Sequence, residues 1–235
     1  MMILALETSA TACSVALCRD GEVVAQSYQN SGLTHSRTLM PMVSDLLRNC
    51  EQSLRDVDVV AVAVGPGSFT GLRIGVSTAK GLAWPGNKLC APCSTLESMA
   101  WPLAHLEGRV IVCAMDARRK QVYNALFLAT GQGLERLSPD RAISLEELGE
   151  ELKNYENSKI VVGDGAKLCY NTLTEWGISL ELAPSNLRMQ SAWGVARAAQ
   201  VLVEQGGLVS GRDLIPVYHR LSQAERERLE RETHK

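Results

Sequence analysis

The chain has 235 residues, 46% of them apolar, and a formal net charge of −2. That length buries a real core in one large unit or two small ones. The near-balanced charge argues against a self-sufficient grip on nucleic acid, because the Arg118-Arg119-Lys120 cluster is too short to hold a polyanion alone. No stretch approaches about 18 uninterrupted apolar residues, so no membrane contact is expected. The opening MMILALETSATACS reads as a first strand rather than a leader. Seven cysteines, mostly in apolar runs, read as buried reduced thiols, so a cytoplasmic setting is expected.

Ile3–Leu6, Cys13–Cys18 and Glu22–Tyr28 predict a β-meander, with Asp20-Gly21 as a two-residue hairpin turn. A helix follows from Ser36 to Cys50, with Pro41 near its first turn. Asp56–Val64 is a strand that stops at Gly65-Pro66-Gly67. A glycine-rich helix then runs to Trp84 and is ended by Pro85-Gly86-Asn87. Lys88–Ala91 is a short strand, and Ser94 or Thr95 caps a helix running towards His105.

A second unit begins near Glu107-Gly108-Arg109. Val110–Met115 and Gln121–Ala129 are strands around a polar turn, and Leu145–Leu152 is helical. Ile160–Val162 is a strand ending in Gly163-Asp164-Gly165. Helices follow over Ala166–Trp176 and Gln190–Gln205, and the charged end SQAERERLERETHK predicts a frayed, solvated helix. Strands precede a helix–strand alternation in each half. The class is therefore α/β with two related lobes, 1–106 and 107–235, the 190–205 helix being a candidate to pack back on the first.

The segment 65–84 admits two uses. A strand, a glycine loop and a helix could cradle an anion. Yet Gly65-Pro66-Gly67-Ser68-Phe69-Thr70-Gly71 fits neither the dinucleotide fingerprint nor the P-loop, where Lys-Ser/Thr would replace Leu72-Arg73. Each glycine inside a helix costs about 1 kcal/mol relative to alanine, so Gly75 and Gly81 need a reason. On a helical wheel Leu72, Val76, Ala79 and Ala83 form an aliphatic stripe. Gly71, Gly75, Thr78 and Leu82 form a flatter one that admits a second helix backbone. In the preceding helix Leu39, Met40, Met42, Val43, Leu46 and Leu47 cover an arc of about 160°, wider than one core contact needs.

The expected partner surface is thus His35, Leu39, Met42, Val43, Leu46, Gly71, Leu72, Gly75, Thr78, Ala79 and Leu82. Glu7, Ser9, Gly65, Gly67, Ser68 and Asp116 are the candidates for a weak nucleotide or anion contact. Cys90-Ala91-Pro92-Cys93 has redox spacing, but two packed thiols are the simpler reading. His35, His105, His219 and His234 are scattered without ligand spacing, so no metal is expected. The tryptophans read as core anchors.

ILALETSATACSVAL, THSRTLMPMVSDLL, VAVGPGSFTGLRIGVSTAKGLA, DARRKQVY and PVYHRLSQAE, in that order along the chain, resemble the TsaB (YeaZ) family. The resemblance implies a two-lobe actin-like fold of the sugar kinase and heat-shock ATPase type. It implies a non-catalytic subunit in the formation of N6-threonylcarbamoyladenosine beside the tRNA anticodon. The implied partners are a TsaD-like catalytic subunit and a TsaE-like P-loop ATPase, with tRNA met only indirectly and homodimerisation when the partner is absent. No cofactor is expected of the chain itself, and the one nucleotide candidate is ATP or ADP at the subunit junction. Where the TsaD family carries two metal-binding histidines, this sequence has Thr95 and Met99, neither a replacement for imidazole. The rival readings are an ATP-dependent small-molecule enzyme built on Glu7, Ser9, Asp116 and the glycine loop, and a metallopeptidase.

Overall fold

The computed structural model describes residues 1–118 and 120–219, so the charged end of the chain lies outside the described residues. Strands β1 (Met2–Glu7), β2 (Cys13–Arg19) and β3 (Glu22–Gln29) form an antiparallel meander. Helix α1 (His35–Asn49), strand β4 (Val59–Gly65), helix α2 (Phe69–Ala83) and strand β5 (Leu89–Ser94) follow. Strands β4 and β5 add in parallel beside β1, so the order is β3-β2-β1-β4-β5.

Helix α3 (Thr95–Ala100) leads to the second sheet. There β6 (Val110–Asp116), β7 (Gln121–Ala129) and β8 (Leu134–Arg136) are again an antiparallel meander, and β9 (Arg141–Ser144) also pairs with β7. Helix α4 (Leu145–Leu152), strand β10 (Lys159–Val162), helix α5 (Ala166–Glu175) and strand β11 (Glu181–Leu182) complete the unit. Strands β10 and β11 are parallel to β6, giving the order β8-β7-β6-β10-β11. The two sheets thus repeat one topology, which is the two-lobe actin-like architecture. Helix α6 (Ser185–Arg188) and helix α7 (Ala192–Glu204) follow. Strand β12 (Val209–Ser210) then pairs with β5, so the chain after residue 190 belongs to the first sheet.

Period-two alternation assigns the faces. Leu4, Leu6, Val60 and Val62 meet α1 and α2 on one side of the first sheet. Ala5, Ala16, Ala61, Ala63 and Ala91 point the other way, onto Ala192, Val195, Ala196 and Ala199 of α7. Alanine on both surfaces lets α7 lie close to the strands. In the second sheet Val110, Val112 and Ala114 meet α4 and α5. Ile111, Cys113 and Met115 meet Leu96 and Met99 of α3, which also packs on α7. Helices α3 and α7 therefore form an inner layer between the sheets.

Some expected boundaries move for clear reasons. Pro41 lies in the second turn of α1, not the first. Helix α3 ends at Ala100 and passes into a 3-10 turn, Trp101–Leu103, because Pro102 has no N–H to continue the ladder. Strands β8, β9, β11 and β12 and helix α6 are too short to show a period in the sequence, and tertiary pairing makes them. Among the described residues no helix is long and apolar enough to cross a membrane.

The inner layer depends on Gly194. A Cβ there would lie 1.9 Å from the Ser98 carbonyl oxygen of α3, a backbone atom with nowhere to go. Gly194→Ala should therefore destabilise the fold by about 3 kcal/mol or more, measured as a lowered midpoint in urea or thermal unfolding.

Candidate functional site

Between the lobes lies a buried polar cluster. Glu7 ends β1 and has no exposed surface. Its Oε1 accepts a hydrogen bond from the Ser9 backbone N–H at 2.5 Å, and its Oε2 has no hydrogen-bond partner among the described residues. Burial pushes its carboxyl up from 4.5 to about 7. Hydrogen bonds from Ser9 oppose that rise, and the nearby Asp164 adds to it. Asp164, in the turn between β10 and α5, is itself raised by burial and by Asp116. The Gln190 amide donates to Asp164 Oδ1 at 3.0 Å, while the Gln190 oxygen is buried without a partner among the described residues. Asp116, at the exposed end of β6, accepts from the Arg118 backbone N–H at 2.7 Å.

The glycine turn faces its own chain. A Cβ on Gly67 would lie 2.5 Å from the Ser9 carbonyl oxygen, on Gly71 2.1 Å from the Thr8 carbonyl oxygen, and on Gly75 2.4 Å from Thr8 Oγ1. The Thr8 hydroxyl donates to the Gly71 carbonyl at 2.8 Å, and the Ser68 N–H donates to the Ser9 carbonyl at 2.7 Å. Ser68 caps α2, its hydroxyl accepting from the Gly71 N–H at 3.3 Å. Gly65 is covered by the strap after β12: the Val217 N–H donates to the Val64 carbonyl at 2.7 Å, and a Cβ on Gly65 would lie 2.2 Å from the Val217 oxygen. Tyr218 holds the strap down, stacking on Phe69 at 4.7 Å and accepting from Arg73 Nε at 3.0 Å. Of the six anion candidates, Glu7 and Ser9 fall in the polar cluster with Asp116 at its edge. Gly65, Gly67 and Ser68 are engaged by the chain itself. Asp164 and Gln190 are members the sequence reading missed; Gly163-Asp164-Gly165 between strand and helix was the available signal.

The expected partner surface needs correction. Leu39, Met42, Val43 and Leu46 of α1 and Ala79 and Leu82 of α2 are buried on their own sheet, and Leu72 is fully buried as well. The wide apolar arc of α1 is explained by the breadth of strands beneath it. The flat stripe of α2 is likewise used internally, since Gly71 and Gly75 seat Thr8 rather than a foreign helix. His35 and Thr78 are half-buried, and His35 Nε2 donates to the Ala10 carbonyl at 2.7 Å. The apolar and small residues left exposed or half-buried are Met40 on α1 and Ile74, Ser77, Thr78, Gly81 and Trp84 on and just beyond α2, with Trp84 83% exposed, and they stand among the exposed Arg37, Asp45, Arg48 and Arg73. Cys90 and Cys93 point to opposite faces of β5, and burial pushes both thiols up. They form no redox pair within this strand.

A protein of Escherichia coli strain K12 named tRNA threonylcarbamoyladenosine biosynthesis protein TsaB is 32% identical over 94% of this chain and 95% of its own length. This chain belongs to the TsaB family. A Bacillus subtilis protein of the same name is 37% identical over 72% of this chain and 73% of its own. The family model described as TsaD, tRNA N6-adenosine threonylcarbamoyltransferase, matches residues 25–183. Among solved structures, one described as YeaZ from Pseudomonas aeruginosa superposes with a TM-score of 0.73 at 25% identity, covering 92% of this chain and 99% of that one. Another, described as an uncharacterized protein with similarity to peptidase YEAZ from the same organism, has a TM-score of 0.76 at 26% identity, covering 93% and 99%.

Glu7 makes stability depend on pH. Its carboxyl titrates near 4.5 when unfolded and at about 7 when folded, so the native state keeps the proton between those values. Stability therefore falls as pH rises through that window, by roughly 3 kcal/mol in all. Glu7→Gln should be more stable than the parent at pH 8 and should show a flatter slope between pH 4.5 and 7 in urea unfolding. Asp164, raised in the same sense, leaves a residual slope.

Proposed function

We propose that this chain is a non-catalytic subunit in tRNA threonylcarbamoyladenosine biosynthesis that docks a TsaD-like catalytic subunit through the outward face of α1 and α2. Membership of the TsaB family supports the pathway. The observation that carries the docking reading is Gly81. It sits in the exposed body of α2, where a Cβ would meet nothing within 4 Å. Glycine at such a position gives up about 1 kcal/mol of helix stability with no return inside the chain. The return is close approach by another molecule, and Ile74, Ser77, Thr78 and Trp84 surround it at helical spacing.

A non-catalytic role is supported by Thr95 and Met99, which stand where the resemblance places the catalytic subunit's histidines. Thr95 has no exposed surface, and Met99 packs among Leu96, Leu103 and Phe127. The chain would act by stabilising the active state of its partner, a shift through differential binding. A TsaE-like ATPase joins that assembly, with ATP or ADP at the subunit junction and tRNA held by the partner. The same face pairs with a second copy when the partner is absent.

Two glycine variants separate docking from folding. Gly81→Arg should leave the melting temperature unchanged or higher, since arginine has a better helix propensity than glycine, yet weaken co-purification with a TsaD-like subunit at least tenfold and lower threonylcarbamoyl transfer by the reconstituted complex. Gly75→Leu should lower the melting temperature sharply, because its Cβ would strike Thr8 Oγ1. If Gly81→Arg binds the partner with unchanged affinity, the proposed face is wrong.

A further inference from the structure

On the second lobe, away from α1 and α2, a groove of about 620 Å³ opens between α4 and the turn that follows α5. Its floor is apolar. Gly149 in α4 has no side chain, so Ile178 and Trp176 pack directly over the helix: a Cβ on Gly149 would lie 3.1 Å from Ile178 Cδ1 and 3.5 Å from Trp176 Cε3. Ile178 is buried by this arrangement, but Trp176 remains 45% exposed. An indole left so open beside a groove is a surface with unused contact area.

The rim is acidic and comes from α4. Glu147 is committed to the capping box, accepting from the Ser144 N–H at 3.1 Å and hydroxyl at 2.9 Å. Those bonds hold its carboxyl below the usual range, so it stays charged. Glu150 pairs with Lys153 at 2.6 Å on the surface. Glu146 has no ion-pair or hydrogen-bond partner among the described residues and borders the groove with Trp176. Three carboxylates against one ammonium, around an aromatic and aliphatic floor, complement a cation carried beside an apolar side chain. A guanidinium satisfies both halves, stacking on indole while bonding carboxylate.

We propose that this groove docks a basic polypeptide segment of another protein, in which a leucine or isoleucine enters the floor and flanking arginines meet Glu146, Glu150 and the face of Trp176. The surface is separate from the α1–α2 face, so both can be occupied at once.

The test uses the full chain and labelled hexapeptides followed by fluorescence anisotropy. The probe is Arg-Leu-Arg-Arg-Leu-Arg; controls replace its leucines by serine or its arginines by glutamate. The expected result is saturable binding of the probe at least tenfold tighter than either control. Trp176→Ala should weaken it by about tenfold. Glu146→Gln with Glu150→Gln should do the same and remove most of its dependence on salt. Both variants alter exposed side chains, and thermal melting confirms the fold. The proposal is overturned if no probe binding is seen up to millimolar chain, if the serine control binds as tightly, if both variants bind like the parent, or if free arginine amide competes as well as the probe on a molar basis.

Discussion

The arrangement of the first lobe depends on one contact, the seating of Thr8 and Ser9 against the glycines of α2 and of the turn before it. Gly67, Gly71 and Gly75 remove every side chain that would hold the helix off the end of β1. Two hydrogen bonds, Thr8 Oγ1 to the Gly71 carbonyl and the Ser68 N–H to the Ser9 carbonyl, then set the helix's rotation and register. That rotation decides which face of α2 looks outward. It buries Leu72, Val76 and Ala79 and presents Gly81 and Trp84. The same seating carries Glu7 into the interior, where no cation among the described residues offsets the cost of ionising it.

Much of this was legible in the residues. The alternation in β1 and β4, the turn at Asp20-Gly21 and the apolar runs of β6 and β7 mark strands by simple period. The repeat of one topology in both halves follows from the order of those elements. The purpose of each glycine was not legible. A stripe of Gly71, Gly75 and Thr78 looks alike whether its neighbour is a foreign helix or the chain's own loop, because the wheel shows spacing and not what lies opposite. Likewise the breadth of the apolar arc on α1 says how much surface is covered, not by whom. The short strands β8, β9, β11 and β12 carry no pattern of their own and exist only through their partners.

The buried polar cluster shows how a familiar frame is put to a different use. The loop between β1 and β2 approaches the turn of α2 where a strand, a loop and a helix end could surround an anion. Here the Ser68 N–H is spent on the Ser9 carbonyl and the Gly71 N–H on the Ser68 hydroxyl, and the carboxyl of Glu7 is drawn towards its neutral form. Negative charge from Asp164 reinforces the trend, and Asp116 raises Asp164 in the same sense.

Arg136 has a mechanical meaning as well. From the edge of the second sheet its guanidinium reaches Glu97 of α3 at 2.8 Å and Asp140 at 2.7 Å, and it lies over the Phe127 ring at 4.6 Å. Asp140 in turn accepts from the Ser94 hydroxyl at 2.5 Å, at the start of α3. This staple crosses from one half of the molecule to the other, next to the tightly packed α3 and α7. Hinge motion would have to break all of it together. A partner that grips a body stapled in this way has less conformational freedom to freeze out than one that must first close a hinge.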